Sequence, residues 1–295
     1  MHGNEWWPAP AKLNLFLHVL GQREDGYHRL QTVFQFIDLC DHLSYQVNRD
    51  ASVHCQFVDG TPPADQDLSS QQNIACKAAR LLQLETGCEL GVQITLDKRI
   101  PVGAGLGGGS SDAATTLIAL NYLWNLRLDT ARLAKIALTL GADVPVFVHG
   151  EAAWAEGVGE YFEPVNLPEP FYLVIYPGVR VSTAEIFAST QLTRDSRPIK
   201  IADFLAGRCG NDCQQLVAKK YPPVREALAW LSDFQPAMMT GTGACVFARF
   251  ATRQEAEQVL EQVPADWQGF LVKGCNQSPL HLYLEEQRMR AVAED

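Results

Sequence analysis

Five glycines stand within seven positions, Gly103, Gly105, Gly107, Gly108 and Gly109, and Ser110, Ser111 and Asp112 follow directly. An alanine-rich, apolar pattern comes next, so residues 111–123 read as a helix that the two serines open. Glycine accepts backbone angles other residues resist and lets another backbone or a ligand come close. A helix start leaves N–H groups unpaired at the positive end of the helix dipole. A glycine loop feeding a helix therefore aims several amides at one spot, which suits an anion, phosphate above all. A merely flexible hairpin would not explain why a well-formed helix begins at the serines.

Two common phosphate motifs nearly match. Gly103, Gly105 and Gly108 satisfy G-x-G-x-x-G, but that dinucleotide fingerprint needs a second strand ending in an acid about 20 residues on. Asp129 lies near that distance, yet residues 115–126 read as helix and a short connection, with no room for the strand. The P-loop needs Lys and then Ser or Thr after its last glycine, and Gly109 and Ser110 stand there instead.

Other side chains are placed as if for chemistry. Residues 9–20 alternate as a strand with one buried face, carrying Leu13, Leu15, Leu17 and Val19. Its second face sets Lys12 beside Asn14; alone, that pattern fits a solvated face as well as a site. Tyr27 and His28 follow the Asp25-Gly26 turn and could pack or hold a planar ligand. Asp143, in Gly141-Ala-Asp143-Val-Pro145, is a carboxylate in a short turn, either an Asx-turn or a reacting group. Residues 240–244 form a second, smaller glycine loop.

The positioning elements read as follows. Strands are expected at 30–37, 43–48, 52–58 and 92–96, and helices at 73–84 and 130–140. Pro145 argues against helix at 143–144. A proline cluster at 164, 168 and 170 marks a boundary between domains 1–164 and 165–295. Beyond it come strands at 172–176, 237–239, 245–250 and 270–273, and helices at 183–188, 213–220, 224–231 and 254–263. Residues 285–295 read as a solvated, charged end. No regular βαβ repeat emerges, so the fold class is α+β.

The chain has 295 residues, a formal net charge of −10 and 47% hydrophobic residues. The charge argues against nucleic acid or an anionic membrane as partner. The eight cysteines include no C-x-x-C pair and read as free, mostly buried thiols. With no leader pattern and no apolar run long enough to span a bilayer, the expectation is a cytoplasmic protein, monomeric or weakly dimeric.

Three phrases together, Pro10-Ala-Lys12-Leu-Asn14-Leu, Pro101-x-Gly103-x-Gly105-Leu-Gly-Gly-Gly-Ser-Ser and Gly241-Thr-Gly243-Ala, resemble the superfamily of small-molecule kinases named for galactokinase, homoserine kinase, mevalonate kinase and phosphomevalonate kinase (GHMP). Asp25-Gly-Tyr27-His28-x-Leu-Gln-Thr, Gly141-Ala-Asp143-Val-Pro-Val-Phe and Leu192-Thr narrow this to the branch acting on a cytidine diphosphate-linked methylerythritol in non-mevalonate isoprenoid synthesis. The resemblance implies a two-domain α+β fold with its site in the cleft, and ATP with Mg²⁺ as cofactors. It implies that Pro101, Val102, Gly103, Ala104, Gly105, Leu106, Gly107, Gly108, Gly109, Ser110 and Ser111 bind ATP, with Ser110 or Ser111 touching the metal. It makes Asp143 the base and Lys12 its electrostatic partner. Asn14, Tyr27, His28, Thr183 and Phe187 become substrate contacts: His28 bonds the cytosine edge, and Tyr27 and Phe187 sandwich the ring. Lys98 is the candidate for an adenine contact, and Asp112 is read as favouring the helix start rather than holding metal.

Overall fold

The computed structural model describes residues 5–24, 26, 28–58, 73–157 and 161–294. Strands β1 (Trp7–Gln22) and β2 (His28–Asn48) form a long antiparallel pair, with Lys12 opposite Phe36 and Asn14 opposite Phe34. Both faces of the first half of β1 are buried, not one. β2 is a single strand of 21 residues where two shorter ones were expected. The acids between the two expected strands, Asp38 and Asp41, have partners from distant chain. Asp41, fully buried, accepts hydrogen bonds from the amides of Arg99 (2.6 Å) and Ile100 (2.8 Å), and Asp38 accepts one from the Lys273 amide (2.8 Å).

β3 (Val53–Phe57) lies parallel to β4 (Gly91–Asp97), which pairs antiparallel with β2. Between them runs α1 (Ile74–Thr86), where Asn73 caps the start by accepting from the Ala75 amide at 2.8 Å. Gly87 ends that helix at φ +67°, the left-handed conformation glycine adopts cheaply. Cys55 on β3 and Cys76 on α1 are joined by a disulfide, which corrects the expectation that all eight thiols are free. Their separation of 21 residues gave no sequence cue; the return of the chain through α1 brings them together.

The glycine loop leads into α2 (Gly108–Leu123), which begins in the glycines, three residues earlier than expected. α3 (Thr130–Leu138) is capped by Asp129. α4 (Val144–His149) corrects the sequence reading. Pro145 occupies its first turn, where its missing N–H costs nothing, so the proline starts a helix instead of preventing one. β5 (Ala153–Gly157) pairs with β2, and β6 (Tyr161–Pro164) with β5.

The second half contains β7 (Phe171–Tyr176), α5 (Thr183–Ala188), α6 (Ile201–Leu205), α7 (Gln214–Lys220) and α8 (Pro222–Ser232). There follow β8 (Ala237–Met239), β9 (Val246–Phe250), α9 (Arg253–Leu260), β10 (Gln268–Cys275) and α10 (Pro279–Glu294). The segment read as a solvated end is this last helix. Leu280 and Leu284 are buried against the first half, while Met289 and Val292 are exposed.

The strands join in the order β3-β4-β2-β10-β7-β9-β8, and among the described strands only β3–β4 pair in parallel, which is the expected α+β architecture. One core packs α1 to α4 and α10 on the β1–β2–β4 face, and a second packs α5, α7, α8 and α9 around β7 and β9. A third joins the halves: Ala11, Leu13 and Ile37 meet Val174, Phe247 and Val272, together with Ile100, Ala104 and Leu106 from the glycine loop. The apolar residues between the glycines thus anchor the loop to the seam of the molecule.

Candidate active site

A cavity of about 610 Å³ opens along that seam. Its walls include Lys12, Asn14, Asp143, Thr183, Phe187, Thr242 and, from the glycine loop, Pro101–Gly105 and Gly107–Ser110. Leu106 and Ser111 are buried and do not line it.

The loop's shape follows from its glycines. Gly103, Gly105 and Gly107 have φ of +66°, +79° and +75°. A Cβ on Gly105 would stand 2.3 Å from the carbonyl oxygen of Thr240, and one on Gly107 would press on Phe147 and on the Lys12 stem. The small glycine loop at 240–244 therefore packs directly on the large one, where the Cys245 amide bonds the Ala104 carbonyl at 3.0 Å. Gly107 is the cap of α2 and lends no side chain to the amides of its first turn. Those N–H groups, at the positive end of a 16-residue helix, face the cavity and suit an anion.

Lys12 reaches this spot from β1 with only 3% of its side chain exposed. Its ammonium donates to Asn14 Oδ1 and, at 3.3 Å, to the Gly105 carbonyl; it lies 3.3 Å from Asp143 Oδ2 and 5.3 Å from the centre of the Phe34 ring. Asn14 is fixed in turn by donating to Thr32 Oγ1 at 2.9 Å. Asp143 stands at the N-cap position of α4, yet its carboxylate makes no capping bond. It is 41% exposed and turned toward Lys12, so the Asx-turn alternative does not describe it. A cation, a carboxylate open to the cavity and a bank of amides meet here, which is the equipment of phosphoryl transfer to an alcohol.

Lys98 sits on the other side of the loop. It is 8% exposed and pairs with Asp41 and with Asp112 Oδ2, the latter at 2.6 Å. Burial alone would lower the Lys98 pKa, but Asp112 and Asp41 outweigh it and hold the ammonium above its ordinary range. Burial pushes Asp112 up to about 7; Lys98 opposes the rise and Asp41 adds to it. Asp112 lies a full turn inside α2 and caps nothing, so its reading as a helix-start residue is corrected: it is one end of a buried charge triad. The sequence put it in the first turn of a helix starting at 111, and neither the earlier start nor the partners, 14 and 71 positions away from it in sequence, were legible.

Behind Phe187, which lines the cavity, His28 begins β2 and is 8% exposed. Its ring stacks on Phe187, with centroids 4.9 Å apart at 29°, and its Nε2 accepts a hydrogen bond from Arg194 Nε at 3.0 Å. Burial first, and the Arg194 charge second, push the His28 pKa down. Thr183 Oγ1 meets Thr242 Oγ1 at 2.8 Å across the cleft. Tyr27 lies outside the described residues. Arg194, Thr240 and Thr242 were not singled out in the sequence. The second glycine loop was a signal for the last two, whereas an Arg in a connecting segment carried none.

Among the described residues no three His, Cys, Asp or Glu side chains are grouped to hold a metal ion. Among them, too, no helix is long and apolar enough to cross a membrane.

This fold, with a glycine-loop anion site facing a Lys–Asp pair, defines a GHMP-type small-molecule kinase. Family models for the GHMP kinases N terminal domain and the GHMP kinases C terminal match residues 73–151 and 192–269. A crystal structure of mevalonate kinase from Methanococcus jannaschii shares the fold, with a TM-score of 0.68 at 17% identity over 93% of this chain and 99% of that one. More specifically, the chain is 56% identical to the 4-diphosphocytidyl-2-C-methyl-D-erythritol kinase of Alkalilimnicola ehrlichii, over 95% of its length and 94% of that protein. It is 51% identical to the kinase of the same name from Nitrosococcus oceani, over 95% and 98%. A crystal structure of a 4-(cytidine 5'-diphospho)-2C-methyl-D-erythritol kinase superposes with a TM-score of 0.78 at 33% identity, covering 92% of this chain and 99% of that one. The chain belongs to this family of GHMP kinases.

Proposed function

We infer that the protein transfers the γ-phosphoryl group of ATP to the C2 hydroxyl of 4-diphosphocytidyl-2-C-methyl-D-erythritol. The observation that carries the reading is the approach of Lys12 Nζ to Asp143 Oδ2, 3.3 Å, beside the open amides of α2. Asp143 accepts the hydroxyl proton as the oxygen attacks, and Lys12 balances the charge developing there. Asn14 fixes the Lys12 ammonium from one side while Gly105 holds it from the other. The amides of Gly108, Gly109 and Ser110 hold the nucleotide phosphates, so no P-loop lysine is needed.

Mg²⁺ fits as a cofactor because the cavity offers hard oxygen donors, the Ser110 hydroxyl and the half-exposed Asp143 carboxylate, and this ion keeps several waters and binds through few protein groups. When bound it neutralises phosphate charge. Ser111, buried away from the cavity, is the weaker of the two serine candidates. His28, Phe187 and Thr183 take the cytidine diphosphate end, with Tyr27 as a further candidate. We place the domain division at 1–164 and 165–295: the first core draws mainly on the first half and the second mainly on the second, with Leu280 and Leu284 of α10 and Leu17 and Val19 of β1 crossing over.

Incubation with ATP and either the cytidyl alcohol, mevalonate or homoserine, with ADP release followed, tests the reading. Turnover of the cytidyl alcohol is expected. Turnover of mevalonate or homoserine instead would move the protein to another branch of the superfamily.

A further inference from the structure

His28 is buried against Phe187, and what it can offer a ligand is decided by a neighbour outside the cavity wall. Arg194 spends its guanidinium on four acceptors. Nη2 donates to the carbonyls of Phe187 and Ser189, both at 2.7 Å, Nη1 to that of Leu192 at 3.4 Å, and Nε to His28 Nε2 at 3.0 Å. The three carbonyl bonds hold the fork in place. A guanidinium has donors only and does not lose its proton in proteins, so the nitrogen that receives Nε–H must present a lone pair. Arginine here therefore settles which ring nitrogen of His28 is bare.

We propose that Arg194 is a specificity-determining positioning residue: by occupying His28 Nε2 it locks the imidazole in the tautomer with hydrogen on Nδ1, so that His28 offers a base a donor and no acceptor. A neutral imidazole has one hydrogen for two nitrogens. An isolated one carries it mainly on Nε2, the opposite of what this contact demands. The burial and positive neighbour that lower the His28 pKa keep the ring neutral, so the tautomer choice holds at neutral pH. A lone Nδ1–H complements a pyrimidine whose N3 is a bare acceptor, as in cytosine. It opposes one whose N3 carries hydrogen, as in uracil, since two donors would then face each other. Sites that pair a buried polar group reject ligands that leave it unpaired far better than sites that only match shape. Selection of the base would then rest on a residue that touches it through His28 alone.

This proposal rests on the reading of His28 as the base contact, so the test has two arms. In the first, the imidazole ¹⁵N shifts of His28 in the intact protein, assigned by loss of the signal in His28→Asn, report the tautomer without substrate. The expected result is a bare-nitrogen shift at Nε2 and an N–H shift at Nδ1, with Arg194→Met moving hydrogen to Nε2 and Arg194→Lys restoring the original pattern in part. In the second, kcat/KM is compared for the cytidyl alcohol and its uridyl analogue. Arg194→Met is expected to shrink the preference for cytosine by about tenfold or more while KM for ATP stays unchanged. Hydrogen on Nε2 in the unmodified protein, or an Arg194→Met variant that keeps both the tautomer and the preference, overturns the proposal. If the cytidyl alcohol is not turned over while the tautomer is as expected, the substrate reading fails and the assignment to Arg194 stands, with CDP against UDP binding then reading the preference directly.

Discussion

Two lysines are buried on either side of the glycine loop, and they are held differently. Lys98 is enclosed by two carboxylates that are themselves buried, Asp41 and Asp112. Lys12 is as deeply set, but its carboxylate, Asp143, is 41% exposed and faces the cavity. Lys98 and Asp112 also border the cavity, but a lysine gripped by two buried carboxylates spends most of its electrostatics on the fold. A charge whose partner stays open can trade that partner for a substrate. The comparison separates a lysine that keeps the loop in place from one that can meet a reacting oxygen, although the two look alike by burial alone.

Breaking each pair should therefore give different failures. The largest effect is expected for Asp143→Asn, which removes the proton acceptor: kcat should fall by about 10³–10⁴-fold, with ATP affinity retained in a binding titration. Lys98→Met leaves two buried carboxylates facing each other, and denaturant melts should show a loss of about 3–5 kcal/mol, with KM for ATP rising more than kcat falls. Lys12→Met should do the reverse. Its orphaned carboxylate is solvated, so the melting point should hardly move while kcat drops by about 10²–10³-fold. An equal loss of stability in the two lysine variants would erase the distinction.

A smaller effect sharpens the Lys98 side. The folded protein keeps the Asp112 proton up to about 7, while the unfolded chain releases it near the ordinary 3.8. Between those values the folded state binds the extra proton, so its contribution to stability falls as pH rises through that window. Melting curves of Asp112→Asn from pH 4 to 7 should show a shallower decline than the unmodified protein; an unchanged slope would place the titration elsewhere.

What could be read from the sequence divides along similar lines. The glycine loop was legible because its rule is local: five glycines and a helix start dictate backbone angles and free amides whatever surrounds them. The strand alternation that set Lys12 beside Asn14 was legible for the same reason, but not the burial of both faces, which depends on β10 and the second half packing there. That 30–37 and 43–48 are one strand was not legible, because the acids between them, Asp38 and Asp41, find partners 235 and 57 residues away. Pro145 misled only at Val144: the bias of a pre-proline residue away from helix did not stop a helix from starting there, while Asp143 stays outside it. Arg194 had no local signature at all, since its importance lies in carbonyls and one imidazole that only the fold assembles.

The anchoring of α4 carries a consequence for how the protein is made. The helix that Asp143 precedes is held at its other end by residues more than 125 positions further on: His281 meets the Val148 carbonyl at 3.0 Å and the Ser278 amide bonds Gly150 at 2.9 Å. During synthesis, then, the nucleotide loop and both lysines leave the ribosome long before the clamp that aims the carboxylate exists. The glycine loop needs residues 240–245 against it, and the carboxylate is fully braced only once residues 278–281 have emerged as well.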